Sequence, residues 1–276
     1  MPKSASSHPP ALSETGYAGP RRPMLVSWGA RALYVGPGFD LSPHRNAVAV
    51  LAMGLDGPLE VAEDARDPRT GFRRCRTAVI EPNQLHYLRI SGANCAFLYV
   101  DAESRDLASL RHRCRRPGPT VSMDLEGDDA LIVLLAGMRR SEEGWRGVSP
   151  RLSSTLGFES LTADRRIAIA IDGLLRVPML EADTATLAAR AGLSVSRFQH
   201  LFKATTGVTV RRFRLWARMR RAIALAVAGA TVTHAALDAG FSSSAHFSAA
   251  FREMFGMAPT QLLAGKPIFV EGDWSG

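Results

Sequence analysis

Two stretches of this chain, "AGLSVSRFQHLFKATTG" at 191–207 and "AGFSSSAHFSAAFREMFG" at 239–256, write the same unit twice. Each opens on Ala-Gly, passes through a Ser-bearing turn, and continues as a helix with Phe at helical spacing that closes on Gly. Ala-Gly ends a helix where a second one must cross it steeply: Ala leaves room for the crossing and Gly accepts the backbone of the turn. The apolar positions that hold the second helix are Phe198, Leu201 and Phe202 in copy one, and Phe247, Phe251 and Phe255 in copy two. Gly192 pairs with Gly240, but Phe202 pairs with Phe251 and Gly207 with Gly256. Copy two thus has one extra residue, which the spacing places near the start of its second helix. Such a repeat confines the C-terminal third to short crossing helices, one face of each second helix being left free.

The periodicity is helical from Thr184 onward. Thr184 is expected to cap "ATLAARAG", and Ser194–Thr205 forms the second helix. A longer linking helix over Val210–Ala228 ends at Gly229, and Thr231 or Thr233 caps "HAALDAG". Ser243–Phe255 follows, then Pro259 and a short tail helix. The charge is concentrated in this segment. The chain carries +8 in all, and residues 184–264 hold ten Lys/Arg against two acids, Asp238 and Glu253. A basic region this local is the electrostatic footprint of a nucleic-acid binder. A solvated basic face would give the same totals, so the charge alone leaves both readings open.

The stretches "LAARAGLS", "FQHLFKATTG", "RMRRA" in the linking helix, "DAGFSSSAHFSAAFREMFG" and "APTQLL" together resemble the DNA-binding domain of the AraC/XylS family of bacterial transcription regulators, across about 184–264. The resemblance implies that the two second helices enter successive major grooves on one face of the duplex, ~34 Å apart. Carried onto this chain, the base-reading positions are Ser196, Arg197, Gln199 and His200 in copy one, and Ser244 and Ser248 in copy two. Gln can pair bidentately with adenine, while His and Ser each offer one bond to a base edge. Phosphate contacts fall on Lys203, Arg211, Arg212, Ser242, Ser243 and Arg252. Arg218 is the linking-helix arginine most expected to be structural. Where the family often carries an Arg this chain has Ala249, and Ser244 stands in place of a long amide. Copy one is therefore expected to do most of the direct reading, and copy two to contribute position and phosphate contact. The family's Pro-x-x-aromatic-Arg ending is "PTQLL" here, which lacks that terminal arginine.

Short apolar runs separated by Gly, Pro, Asn and Asp over 24–100 predict an antiparallel β-domain. Asp106–Arg113 and Gly127–Arg140 read as helices, Gly-rich turns surround Trp145, and 162–176 reads as an amphipathic connecting helix with Thr162 as its cap. The stretches 33–61 and 77–92 resemble the cupin-like sensor half found in part of the family. That implies a β-barrel with a small-molecule pocket, to which His44 and His86 are assigned. Asn46 stands where a metal-binding cupin has a second His and no Glu follows, so neither a metal nor another cofactor is expected beyond the effector. The fold class is thus two domains, a β-rich cupin-like barrel with flanking helices and then an all-α double helix-turn-helix. The expected division is a disordered tail at 1–22, a sensor and dimerisation domain at 23–160, a connecting helix and linker at 161–183, the DNA-binding domain at 184–264 and a tail at 265–276.

Cys75, Cys95 and Cys114 are odd in number and contain no CxxC pair, which suits reduced thiols in a cytoplasm. If exposed, the arginines around Cys75 and Cys114 would lower their thiol pKa values. The groups Arg73, Arg74, Arg76 and Arg111, Arg113, Arg115, Arg116 are either balanced surface charges or an anion site. No stretch is long and apolar enough to span a membrane. An enzyme is not expected: a cupin oxygenase lacks its ligands, a repair methyltransferase lacks a Cys-rich zinc domain, and no phosphate loop or nucleophile elbow occurs. The expected protein is a cytoplasmic, homodimeric transcription regulator, an activator acting with RNA polymerase on double-stranded DNA. Its alternatives are a non-specific architectural DNA-binding protein and, ranked below it, a DNA-binding domain fused to a metal-dependent cupin enzyme.

Overall fold

The computed structural model describes residues 22–272, apart from 29–30, 40, 42, 64–70, 101–104, 139–143, 159–163, 177–182 and 207. The expected disordered tail (all but residue 22), the Thr162 cap and residues 177–182 of the expected linker fall outside the described residues. The chain opens with β1 (Met24–Trp28), β2 (Arg31–Pro37), β3 (Ala49–Gly54), β4 (Leu59–Ala62), β5 (Arg73–Cys75), β6 (Thr77–Ile80), β7 (Tyr87–Ile90) and β8 (Asn94–Val100). Then come α1 (Arg105–His112), β9 (Cys114–Arg116), β10 (Val121–Leu125), α2 (Asp128–Met138), α3 (Gly144–Leu156) and α4 (Arg165–Arg176). The helical region holds α5 (Thr184–Arg190), α6 (Val195–Thr206), α7 (Val210–Val227), α8 (Val232–Asp238), α9 (Ser244–Phe255) and α10 (Pro259–Ala264), and β11 (Ile268–Glu271) closes the described chain.

Eight strands form one sheet in the order β11-β1-β2-β8-β3-β6-β10-β9, and β5-β4-β7 form a second. Successive side chains of a strand point to opposite faces, so a sheet covered on both sides needs apolar residues at every position. β8, "NCAFLYV", meets that demand. Its Ala96, Leu98 and Val100 join one core with Leu107, Leu110, Leu131, Leu135 and Leu152 of the overlying helices α1–α3. Its Phe97 and Tyr99 join the other, which includes Leu59, Val61 and Leu88 of the small sheet and continues into Phe198, Phe213 and Phe247 of the helical region. The β-rich and helical regions therefore share one apolar core.

Where Gly-rich turns were expected around Trp145 there is a helix, α3. Gly144, Gly147 and Pro150 hide it from propensity. Tertiary packing holds it: Trp145 lies against Trp28 with ring centroids 4.9 Å apart, and Val148, Leu152 and Leu156 are buried. Beside this contact is a buried ion pair. Arg31 donates to Asp106 through Nε (2.7 Å) and Nη2 (3.1 Å), and its guanidinium carbon lies 4.8 Å from the centre of the Phe158 ring.

The segment expected as a tail carries β11, which pairs in parallel with β1 from Met24↔Ile268 to Ser27↔Glu271. Ile268 N–H donates to the Pro23 carbonyl at 2.7 Å, and Arg22 Nε donates to the Lys266 carbonyl at 2.6 Å. The pairing ties the end of the helical region to the edge of the β-sheet. Its partners lie some 244 residues apart.

Candidate nucleic-acid interface

The two repeated units superpose in their construction. α5 meets α6 and α8 meets α9 through buried alanines, Ala188 and Ala191 in the first unit, Ala236 and Ala239 in the second. The turns carry Gly192 at φ 65° and Gly240 at φ 85°, left-handed values that a side chain disfavours. Asp183, not Thr184, caps α5, accepting the Thr186 N–H at 2.6 Å. Of the two threonines proposed for α8 the cap is Thr231, which accepts from His234 N–H at 3.2 Å. Ser194 Oγ accepts from Arg197 N–H at 3.3 Å, and Ser243 Oγ from His246 N–H at 3.0 Å. These two caps are equivalent, so the extra residue of copy two lies in the turn between Gly240 and Ser243 and not in the helix. Both second helices are twelve residues long.

That register fixes which positions correspond. Ser196, Arg197, Gln199, His200 and Lys203 of α6 match Ala245, His246, Ser248, Ala249 and Arg252 of α9. The α6 set is exposed throughout, while Phe198 and Phe202 on the opposite face are wholly buried against Phe213. On α9, Ala245, His246, Ala249 and Arg252 are exposed and Ser244 and Ser248 are half-buried. Phe247, Phe251 and Phe255 face the core in an unbroken run of ring contacts. His246, which the sequence reading does not single out, occupies the position of Arg197. Its Nδ1 lies 3.0 Å from Ser242 Oγ, so Ser242 already has a hydrogen-bonding neighbour. Ser243 spends its hydroxyl on the cap.

Arg211 is exposed and Arg212 half-buried at the start of α7. Arg220 is the most buried of the linking-helix arginines, at 8% exposure, a more enclosed place than the half-buried Arg218. It faces Glu271 of β11 at 3.6 Å. Burial pulls the Arg220 pKa down, and the carboxylate of Glu271 opposes that.

His44 and His86 are brought together. Their backbones form a two-bond antiparallel bridge, 3.0 Å each way, and their ring centroids lie 4.4 Å apart. His44 also lines a cleft of about 550 Å³ shared with α9, so the pair lies on the seam with the helical region. His86 is wholly buried, its Nδ1 lies 2.8 Å from the Gln84 carbonyl, and its Nε2 has no hydrogen-bond partner. Burial first, and then His44, push its pKa down to about 4. Between about pH 6.5 and 4 the unfolded chain holds a proton on this ring that the folded chain does not, so stability falls as pH is lowered through that window and the effect levels off below it. His86→Gln is expected to flatten this part of the stability–pH curve, measured by thermal or urea unfolding from pH 7 to 4. An unchanged acid limb would show that His86 takes no part in it.

Among the described residues, no group of three His, Cys, Asp or Glu is placed to hold a metal ion. The three cysteines are buried, and burial raises the thiols of Cys75 to about 12 and Cys114 to about 11, the opposite of the lowering that exposure would bring. The arginine groups around them meet acids: Arg73 pairs with Glu63, Arg111 with Glu81, Arg115 with Asp128 and Arg116 with Asp124. No helix among the described residues is long and apolar enough to cross a membrane.

The family model described as a helix-turn-helix domain matches residues 187–265, close to the span marked out by the repeat. No curated protein matches the chain. Similar solved structures include ToxT from Vibrio cholerae, at 13% identity over 85% of this chain and 97% of that one, with a TM-score of 0.42. An AraC-type DNA-binding domain-containing regulator from Chromobacterium violaceum is 25% identical over 37% of this chain and 91% of that one, with a TM-score of 0.35. A DNA-binding transcriptional dual regulator from Escherichia coli K-12 is 20% identical over 39% and 97%, also at 0.35. The assignment rests on the family match and on the repeated unit, whose register, buried alanines, left-handed turn glycines and caps agree residue by residue. The C-terminal region of this chain is an AraC-type helix-turn-helix domain.

Proposed function

We propose that this regulator binds DNA sequence-specifically, laying α6 and α9 in two successive major grooves per monomer. The observation that carries this reading is the exposed face of α6, where Ser196, Arg197, Gln199 and His200 project opposite a fully buried Phe198 and Phe202. Binding to phosphate alone would not need an amide and an imidazole on that face. Lys203 and Arg252, at matching positions near the ends of α6 and α9, are proposed phosphate contacts. Arg211, Arg212 and the α9 N-terminus with Ser242 and Ser243 add to them. Ser244 and Ser248 are left as the base-reading residues of the second half-site.

By the same reading the chain works in the cytoplasm as a homodimer, activates transcription with RNA polymerase and answers to a small-molecule effector. The cupin-like character of the β-rich region and an effector pocket at His44 and His86 belong to this proposal. Their place on the seam with α9 supports it, since a ligand there would touch both regions. A switch of this kind needs a coupling of only ~1–3 kcal/mol.

Selection of preferred sequences from a random DNA pool tests the reading. Wild type is expected to enrich an asymmetric site with one sharper half. Gln199→Ala with His200→Ala is expected to blur that half, each lost base contact being worth about 1–3 kcal/mol of discrimination. A wild type that enriches nothing, with or without cell extract as a source of effector, would favour the architectural alternative.

A further inference from the structure

Copy two of the repeat offers its half-site fewer hydrogen-bonding groups along its reading stripe than copy one. Ala245 and Ala249 stand at the positions of Ser196 and His200 and carry only a methyl group, which leaves exposed His246 and Arg252 beside the half-buried Ser244 and Ser248. That stripe does not end at the edge of the helical region. The cleft of about 550 Å³ beside it is lined by Ala249, Arg252 and Gln261 on one side and by Pro43, His44 and Arg45 of the β-rich region on the other. We propose that Arg45 is a DNA-backbone contact, the β-rich region lending α9 a second cation so that one strand of the second half-site passes between Arg45 and Arg252.

The loop that carries Arg45 is fixed to both sides of the cleft. Ala47 N–H donates to the Glu253 carbonyl near the end of α9 at 2.7 Å. Asn83 N–H donates to the Asn46 carbonyl at 2.6 Å, and His44 is bridged to His86. Main-chain bonds therefore set where Arg45 stands relative to the reading helix. The Arg45 side chain is exposed, and Nη1 donates to the Asn83 carbonyl. A guanidinium has five N–H donors, so this bond aims the group and leaves others for a phosphate oxygen. Glu253 also lines the cleft. Its negative charge opposes an anion there, which makes a second cation across the cleft more necessary.

The inference rests on the DNA-binding reading above, and the test separates the two. The full-length chain is titrated against the selected duplex and a scrambled one, by fluorescence anisotropy over a series of salt concentrations. Arg45→Ala is expected to weaken both duplexes by the same several-fold factor and to make the slope of log K against log salt shallower by about one. Arg45→Lys, which keeps the charge, should restore the slope. Arg252→Ala serves as the comparison within α9, and a wild-type melting temperature for Arg45→Ala shows that the fold is intact. A slope unchanged in Arg45→Ala but shallower in Arg252→Ala overturns the role of Arg45 and leaves the DNA reading standing. A loss confined to the selected duplex overturns phosphate contact in favour of base reading. If wild type binds neither duplex, the DNA reading itself fails.

Discussion

Asp106→Ala is expected to destabilise the protein by about 3–5 kcal/mol, the usual cost of removing one partner from a buried ion pair. The carboxylate takes two hydrogen bonds from Arg31, and the two side chains are only 12% and 10% exposed. With it gone, the guanidinium stays at the start of β2, enclosed by Phe158 and Trp28 and lacking its counter-charge. Replacing both members, Arg31→Met with Asp106→Leu, should recover most of the loss, because the cost lies in the uncompensated charge. Thermal unfolding is the measurement. For a chain of this size about 2–4 °C is expected per kcal/mol, so the single variant should melt roughly 10 °C lower. A change of only a degree or two would mean that water reaches Arg31 and that the pair is not buried in solution.

Gly256→Ala is the second large effect, and it acts where the two regions meet. Gly256 follows α9 at φ 74°, a left-handed conformation that costs an L-residue about 1–2 kcal/mol. Space is the greater difficulty. A Cβ there would stand 2.0 Å from His44 Cδ2 and 2.5 Å from Asn46 Oδ1. Neither neighbour yields easily, since His44 is bridged to His86 and Asn46 is 3% exposed. The combined penalty is expected to be about 2–4 kcal/mol by the same strain and overpacking costs. A double-mutant cycle divides it. Gly256→Ala in a His44→Ala background should regain the His44 share of the collision and keep the Asn46 contact and the backbone part. Purely additive losses would mean that the loop at 43–47 moves away from α9 at little cost.

The helical repeat was legible because its signals are local. Ala-Gly, a Ser cap and Phe at helical spacing all act within one turn of one another, and the linking helix expected over 210–228 is found over 210–227. The exposed face of α6 follows from the same pattern. The extra residue of copy two could be placed only near the start of α9, because Phe and Gly spacings report the sum over turn and helix; the cap at Ser243 divides it and puts the residue in the turn. α3 was missed for the opposite reason, being held by Trp28, a residue far away in sequence. The Arg31–Asp106 pair and the meeting of His44 with Gly256 leave no local trace at all. The sequence suggested two domains in series, and the shared core shows why the seam could not be read: the residues that close it, such as Tyr99 and Phe255, look like ordinary core members of their own regions.

The parallel pairing of β1 with β11 bears on how the protein is made. During synthesis β1 leaves the ribosome ahead of the other described strands, and its edge stays open until Ile268–Glu271 have followed it. A nascent chain that already holds every residue of α6 and α9 still lacks the strand that ties the helical region to the sheet edge. Long-range pairing of this kind is slow and leaves strand edges exposed meanwhile. Translation arrested a dozen residues short of position 272 would release a chain that has α6 and α9 but lacks the strand pairing that ties the helical region to the sheet edge. The eight-stranded sheet thus makes the fully anchored state wait for β11, some 244 residues after β1.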